Sequence, residues 1–262
     1  MSLLNLHYDG TFEGVMTVVF DCFEQKWMPH SITSPMHRQQ ALFSDVREVL
    51  TDDHKSQRVL MGLAKRIDKT GINNLYKVFC SELPERELLL LAYCRVVFQT
   101  GFNVTKDYRN PHILRVSQIV KMINREIHRM HAFVRFQKTR DDIYAATIRP
   151  DFDVLSLAAH HFKDRYQDQQ WLIYDTKRDY GMFYDMDEMR PITLTDPTWV
   201  ARHQISDKLL ADDEKKFQQM WKQYFDSTCI AERKNLRLHL KHVPQRYWRW
   251  LPEKSLQPIQ EQ

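Results

Sequence analysis

Apolar positions along this chain change period several times, and each change marks an element. Leu3 to Tyr8 reads as a short strand and Asp9-Gly10 as a turn. Phe12, Val15, Met16, Val19, Phe20 and Phe23 recur at steps of three and four, one stripe of a helix over 12–23. The stretch from Met28-Pro29 to Pro35 reads as loop. Asp52 or Asp53 caps a helix through Ile67 that turns Val59, Leu60, Leu63 and Ile67 inward. Gly71 opens a helix to about Ser81; Pro84 starts another to about Thr100, where Gly101 stops it.

Asn110-Pro111 is a strong helix start, with Asn as cap and Pro in the first turn. The helix runs to about Met130 on a core stripe of Ile113, Val116, Val120, Ile123, Ile127 and Met130, with Lys121, Arg125, His128 and Arg129 on its other side. The period then drops to two. Ala132 to Gln137, a turn over Thr139–Asp142 and Ile143 to Ile148 predict a hairpin. Asp153 caps a helix from Val154 to about Tyr166. Trp171–Asp175 and Tyr180–Asp185 predict a second hairpin, and Met189–Leu194 a fifth strand, ended by Asp196-Pro197. Asp212 or Asp213 caps a long helix through Thr228 with Phe217, Met220, Trp221 and Phe225 inward. The fold class is α+β: a mainly helical region over 1–131, a β-β-α-β-β unit over 132–196, and a C-terminal helix and tail over 197–262, in one compact domain or two closely packed ones.

Composition narrows the classes. With 43% hydrophobic and 12% aromatic residues in 262, the chain can bury a sizeable core. The start lacks a basic n-region and a long apolar run, and Leu88–Phe98 is interrupted by Arg95 and too short to span a bilayer, so a soluble cytoplasmic protein without membrane association is expected. Cys22, Cys80, Cys94 and Cys229 form no close pair, which removes zinc ribbons and cysteine-ligated clusters; buried free thiols are expected, and no metal or cofactor. The net charge of +4 is unevenly placed: residues 1–102 carry 11 basic and 12 acidic side chains, 103–149 carry 10 and 4, 151–228 carry 10 and 15, and 229–254 carry 7 and 2. Two basic blocks flank an acidic one; brought together they would make one positive face.

The second basic block holds Arg233, Lys234, Arg237, Lys241, Arg246 and Arg249, interleaved with Tyr247, Trp248 and Trp250. Cations neutralise phosphates and aromatic faces stack on unpaired bases, so nucleic acid is one reading. A closing helix and turn, with tryptophans as packing anchors and cations in water, is the other. Nucleotide-binding glycine loops, nucleophile elbows and the metalloprotease and deaminase signatures are absent from the sequence. His160-His161, with Arg165 and Asp153, is the remaining candidate for chemistry. Adjacent helical residues point about 100° apart, so the pair is poorly placed to chelate one metal. His161, beside Ala158 and Phe162, reads as a satisfied core histidine and His160 as polar surface. Arg125, His128 and Arg129 suit phosphate, because arginine forks match its oxygens.

Several longer motifs carry a resemblance. Tyr8-Asp9-Gly10-Thr11-Phe12-Glu13-Gly14 resembles the opening of a bacterial family of DNA metabolism or repair proteins. Arg125-Glu126-Ile127-His128-Arg129-Met130 followed by Phe133–Phe136, then Pro150–Leu155, His161-Phe162 with Arg165-Tyr166, Ile230–Asn235, Pro244–Arg249 and Leu251-Pro252-Glu253 are similar to that family's later motifs, in the same order over nearly the whole chain. The resemblance implies genes adjacent to a radical-SAM protein acting on DNA, and a related domain fused to uracil-DNA glycosylases. This chain lacks the C-x-x-x-C-x-x-C of a radical-SAM enzyme, so it would be the companion. The expectation is a DNA-binding accessory protein of repair or modification with DNA and that radical-SAM protein as partners. The alternatives are a nuclease- or glycosylase-like enzyme using His160, His161 and Asp153, for which no complete catalytic motif is present, and a protein-interaction module using the acidic block.

Overall fold

The computed structural model describes residues 3–35, 45–100, 103–196, 199–201, 204–230 and 235–255. Gly101, Pro197, Arg233 and Lys234, to which the sequence assigns roles, lie outside the described residues. The fold is mixed α+β, with helices at both ends and a central sheet region. It divides into two compact units, Met1–Asn124 and Arg125–Gln262.

In the first unit, β1 (Leu4–His7) is the middle strand of a three-stranded parallel sheet, between β2 (Ser31–Thr33) and β3 (Asp45–Glu48). The stretch expected to be loop thus contributes β2. Three residues beside prolines, and a β3 of Asp-Val-Arg-Glu with three exposed positions, carry no alternation a sequence pattern could register. Helices α1 (Phe12–Glu24), α2 (Asp53–Ala64), α3 (Lys69–Phe79) and α4 (Arg86–Thr100) supply the core through Val15, Met16, Leu63, Leu75 and Leu90. Asp52 and Asp68 cap α2 and α3 by accepting from backbone N–H groups of the first turn. The α1 face is rotated from its expected stripe: Thr17, Val18 and Cys22 are buried while Phe23 is exposed.

Six of the seven residues at 8–14 have structural roles. The Tyr8 hydroxyl donates to Glu87 Oε1 at 2.9 Å, and Arg86 Nε donates to the same oxygen at 2.8 Å. Asp9 accepts from the Thr11 backbone N–H and hydroxyl and from Thr51. Gly10 turns the chain at φ +90°, a conformation that disfavours a side chain. Thr11 caps α1 by accepting from Gly14 N, and Phe12 packs edge-on against Tyr76 and Phe79. At Gly14 a Cβ would overlap the Asp9 carboxylate and stand 2.8 Å from Thr51 Oγ1.

Helix α5 (Pro111–Phe133), capped by Asn110, buries Ile113, Val116, Ile119, Val120, Ile123 and Met130. It continues to Phe133 and takes the first two residues of the strand expected over Ala132–Gln137; the next three pair with nothing in the sheet, and only β4 (Gln137–Lys138) pairs with β5 (Tyr144–Ile148). The main sheet of the second unit has the order β4-β5-β6-β7-β8, with β6 (Trp171–Asp175), β7 (Tyr180–Tyr184) and β8 (Met189–Ile192). Only β5 and β6 are parallel, joined by α6 (Leu155–Arg165). Every β6 residue is buried, and Phe136, Phe162 and Tyr184 surround Trp171. A short ladder pairs β9 (Val200–Ala201) with β10 (Gln204–Ile205). Helix α7 (Glu214–Thr228), α8 (Leu236–His242), a 3-10 turn over Gln245–Trp250 and α9 (Pro252–Ser255) follow. Asp213 precedes α7 without a side-chain cap, and Phe217, Met220 and Trp221, expected inward, are 55%, 53% and 41% exposed. Among the described residues no helix is long and apolar enough to cross a membrane.

Gly14→Ala forces a methyl into this packed turn. We expect a loss of about 1–3 kcal/mol, the usual penalty of overpacking, measured as the urea midpoint times the denaturation slope. Unchanged stability would show that the Asp9–Thr51 contact gives way freely.

Candidate functional site: a buried carboxylate network and an aromatic-cationic cavity

Three of the separated motifs meet on Glu126, whose side chain is 1% exposed. Its Oε1 accepts from the Tyr247 hydroxyl at 2.6 Å and from the Asp151 backbone N–H at 3.0 Å. Its Oε2 takes Arg246 at 3.0 Å and Arg129 at 3.4 Å. Arg246 also bridges Asp151 at 2.7 Å, and the carbonyl of Asp151 accepts from Lys177 and Arg178. Arg178 in turn pairs with the fully buried Asp175 at 2.6 Å. The network therefore runs from α5 through the loop at 150 to the β6–β7 turn and the C-terminal 3-10 turn. A buried carboxylate without partners would be strongly destabilising; here both oxygens are filled, so the group anchors the fold and has no lone pair left for proton transfer. Burial and the nearby Glu126 push the Tyr247 hydroxyl above its ordinary range, which keeps it a donor.

Beside this network lies a cavity of about 810 Å³ walled by α6, α7 and the segment 131–138. Phe217 and Trp221 form an aromatic wall, and Tyr144 and Tyr166 also line the space. His131 stacks on His161 at 4.1 Å between ring centres and 22° between planes. Burial lowers the His131 pKa, and His161 and His128 lower it further, against a hydrogen bond to the Ala158 backbone. Arg165 donates Nε to the Tyr166 hydroxyl at 3.3 Å and has no carboxylate partner among the described residues. Arg135 is held by Glu253 at 2.9 Å and lies over Trp221, whose indole N–H donates to the same carboxylate. Glu214 accepts from Lys138 N and Gln218, so the one buried acid in the wall is satisfied.

The structure corrects the histidine assignment. His161 is exposed at the cavity, not in the core; His131, which the sequence reading passed over, is the more enclosed ring and the one its stack covers. Asp153 does not cap α6, where Val154 takes the cap position without a side-chain bond; its carboxylate accepts from Tyr180 at 2.5 Å. Asp153 and His161 are placed apart, Asp153 ahead of the helix on Tyr180 and His161 at the cavity. His160 is exposed. No group of three or more His, Cys, Asp or Glu suited to a metal occurs among the described residues. Burial pushes the Cys94 thiol up to about 12 and Cys22 to about 11, which leaves neither as a nucleophile at neutral pH.

Of the residues assigned to nucleic acid, Arg129 and Arg246 meet on Glu126, and Tyr247 packs beneath them, buried, against Phe133. Arg125, His128, Arg237 and Lys241 are exposed and make no ion pair among the described residues. Lys121 is exposed on the first unit's stretch of α5. Trp248 donates to the Val243 carbonyl and lies under Lys254. Arg249 stands over Trp250 and lines a cleft of about 170 Å³.

Glu126→Ala leaves the Arg246 and Arg129 charges without their shared partner. A loss of about 3 kcal/mol is expected, with Glu126→Gln less affected, in urea unfolding followed by tryptophan fluorescence. A second expectation follows from His131. Its pKa is depressed in the folded state, so the unfolded chain binds the proton more readily. Stability contributed by the neutral ring is complete above the unfolded value of 6.5 and is lost as pH falls from there toward the folded value. His131→Phe should flatten that acid limb of the melting-temperature profile; an unaltered limb would assign it elsewhere.

No curated protein matches the chain. Residues 84–253 match the family described as domain of unknown function DUF4130. That match spans more than half of the chain, and the protein belongs to this DUF4130 family.

Proposed function

We propose that this protein is a DNA-binding accessory factor in DNA repair or modification. One observation carries the reading: after the internal acids of the second unit have taken Arg129, Arg135, Arg178 and Arg246, the cations Arg125, Arg237 and Lys241 remain exposed with no carboxylate partner among the described residues. Unpaired surface cations repel one another, and a polyanion relieves that repulsion. Helix α8, which carries Arg237 and Lys241, has no buried residue, so its cationic side is accessible along its length. The role beside a radical-SAM protein rests on the motif resemblance alone, at residues 8–14, 125–136 and 244–253.

Binding should be measured by fluorescence anisotropy with a labelled duplex over a range of salt concentrations. Each phosphate contact adds about −0.9 to the log–log slope. Arg125→Glu with Arg237→Glu should flatten the slope by about 2 and weaken binding, with the melting temperature unchanged or slightly raised. No binding at low salt, or a slope near zero, would overturn the proposal.

A further inference from the structure

We infer that the 810 Å³ cavity of the second unit receives an unpaired nucleotide of the bound DNA strand, its base against the Phe217–Trp221 wall and its phosphate on Arg165 beside His161. The inference rests on the DNA-binding reading and names the part of the DNA that this site takes.

Helix α7 carries Phe217, Met220, Trp221 and Tyr224, spaced on one helical face, and they are 55%, 53%, 41% and 61% exposed. A continuous apolar helix face left in water marks a binding surface. Phe217 and Trp221 of that face form one side of the cavity. The remaining lining is not purely apolar. It presents Arg165 from the last turn of α6, the exposed ring of His161, and Lys138, whose ammonium is shared with the exposed Asp142. An aliphatic ligand or an apolar peptide would take Arg165 out of water without giving it an anion, which is unfavourable. A free anion would leave the aromatic wall wet. A nucleotide satisfies both sides: the base has a π-face for the aromatics, and the phosphate accepts from a guanidinium fork. In a duplex the base faces are already stacked on their neighbours, so only an unpaired or extruded nucleotide gains from the wall. The volume lies within the range of small-molecule sites.

The test uses the full chain and three labelled probes: a short oligothymidine, a blunt duplex, and that duplex with one bulged thymidine. The bulged duplex is expected to bind about tenfold tighter than the blunt one, as one stacked base is worth about 1–3 kcal/mol. Phe217→Ala should bring the ratio of the two affinities close to one. Arg165→Gln should reduce the salt slope on the oligothymidine by about 0.7. Both side chains are exposed, so melting temperatures should match wild type. As a comparison, Arg125→Glu should weaken all three probes together and preserve the ratio. Equal affinity of wild type for bulged and blunt duplex, or a preference that survives Phe217→Ala, would overturn the cavity assignment while leaving DNA binding intact. Failure to bind any probe would overturn both.

Discussion

The second unit depends on the burial of one negative charge. Glu126 sits on a helix whose other inward residues are apolar, and a carboxylate there is tolerable only if donors surround it. The donors come from α5 itself, from the backbone at Asp151 and from the 3-10 turn at Arg246-Tyr247. Each lies far from the others in sequence, so satisfying the charge fixes the register of three segments at once. The C-terminal turn needs that fixing. It is six residues of 3-10 helix, a form with weak intrinsic stability, and only Tyr247 and the following Leu251 are buried. The Glu126 bonds act there together with the Arg246–Asp151 ion pair and the bond from Gln204 to the Arg249 carbonyl.

The same constraint changes the meaning of the basic blocks. A count of lysines and arginines treats every cation as available, but pairing is decided by tertiary structure. Arg129 and Arg246 share Glu126, Arg135 belongs to Glu253, and Arg178 to Asp175. The acidic block at 151–228 and two isolated acids supply these partners. The positive surface is therefore smaller and more localised than the composition suggests, and it falls beside the structural residues: Arg125 directly precedes Glu126 in the same motif.

Helices with caps and a clean stripe were legible in the sequence. Asn110 and Asp52 fix helix starts through side-chain bonds that residue type alone announces, whereas α3 starts at the Asp68 cap and not at Gly71; β6 announced itself as an apolar run between turns. The parallel sheet of the first unit was not, because β2 is three residues and β3 is mostly exposed; parallel pairing depends on distant strands, not on local pattern. Phe133 to Phe136 alternates well enough for a strand, yet the momentum of a 23-residue helix carries through its first residue. On the site, His160 and His161 drew notice as a pair, while His131 carried its own signal: it follows Ile127 by four, at the end of the core stripe, and its ring lines the cavity.

Helix α7 is the clearest place where pattern and structure part, and the disagreement is informative. Phe217, Met220, Trp221 and Tyr224 have the spacing of a core face, and a sequence reading turns Phe217, Met220 and Trp221 inward. In the fold that face is exposed, while the buried Glu214 at the start of the helix ties it to β4 through Lys138. The helix is thus held at its N-terminal end by a polar contact and along its length by Trp221 bonding to Glu253, which orients the indole instead of burying it. An aromatic ring fixed in orientation and left open on one side suits stacking better than packing, because stacking rewards a presented face and packing rewards enclosure. Arg135, held by Glu253, lies over that same indole and adds a cation to the ring's surroundings.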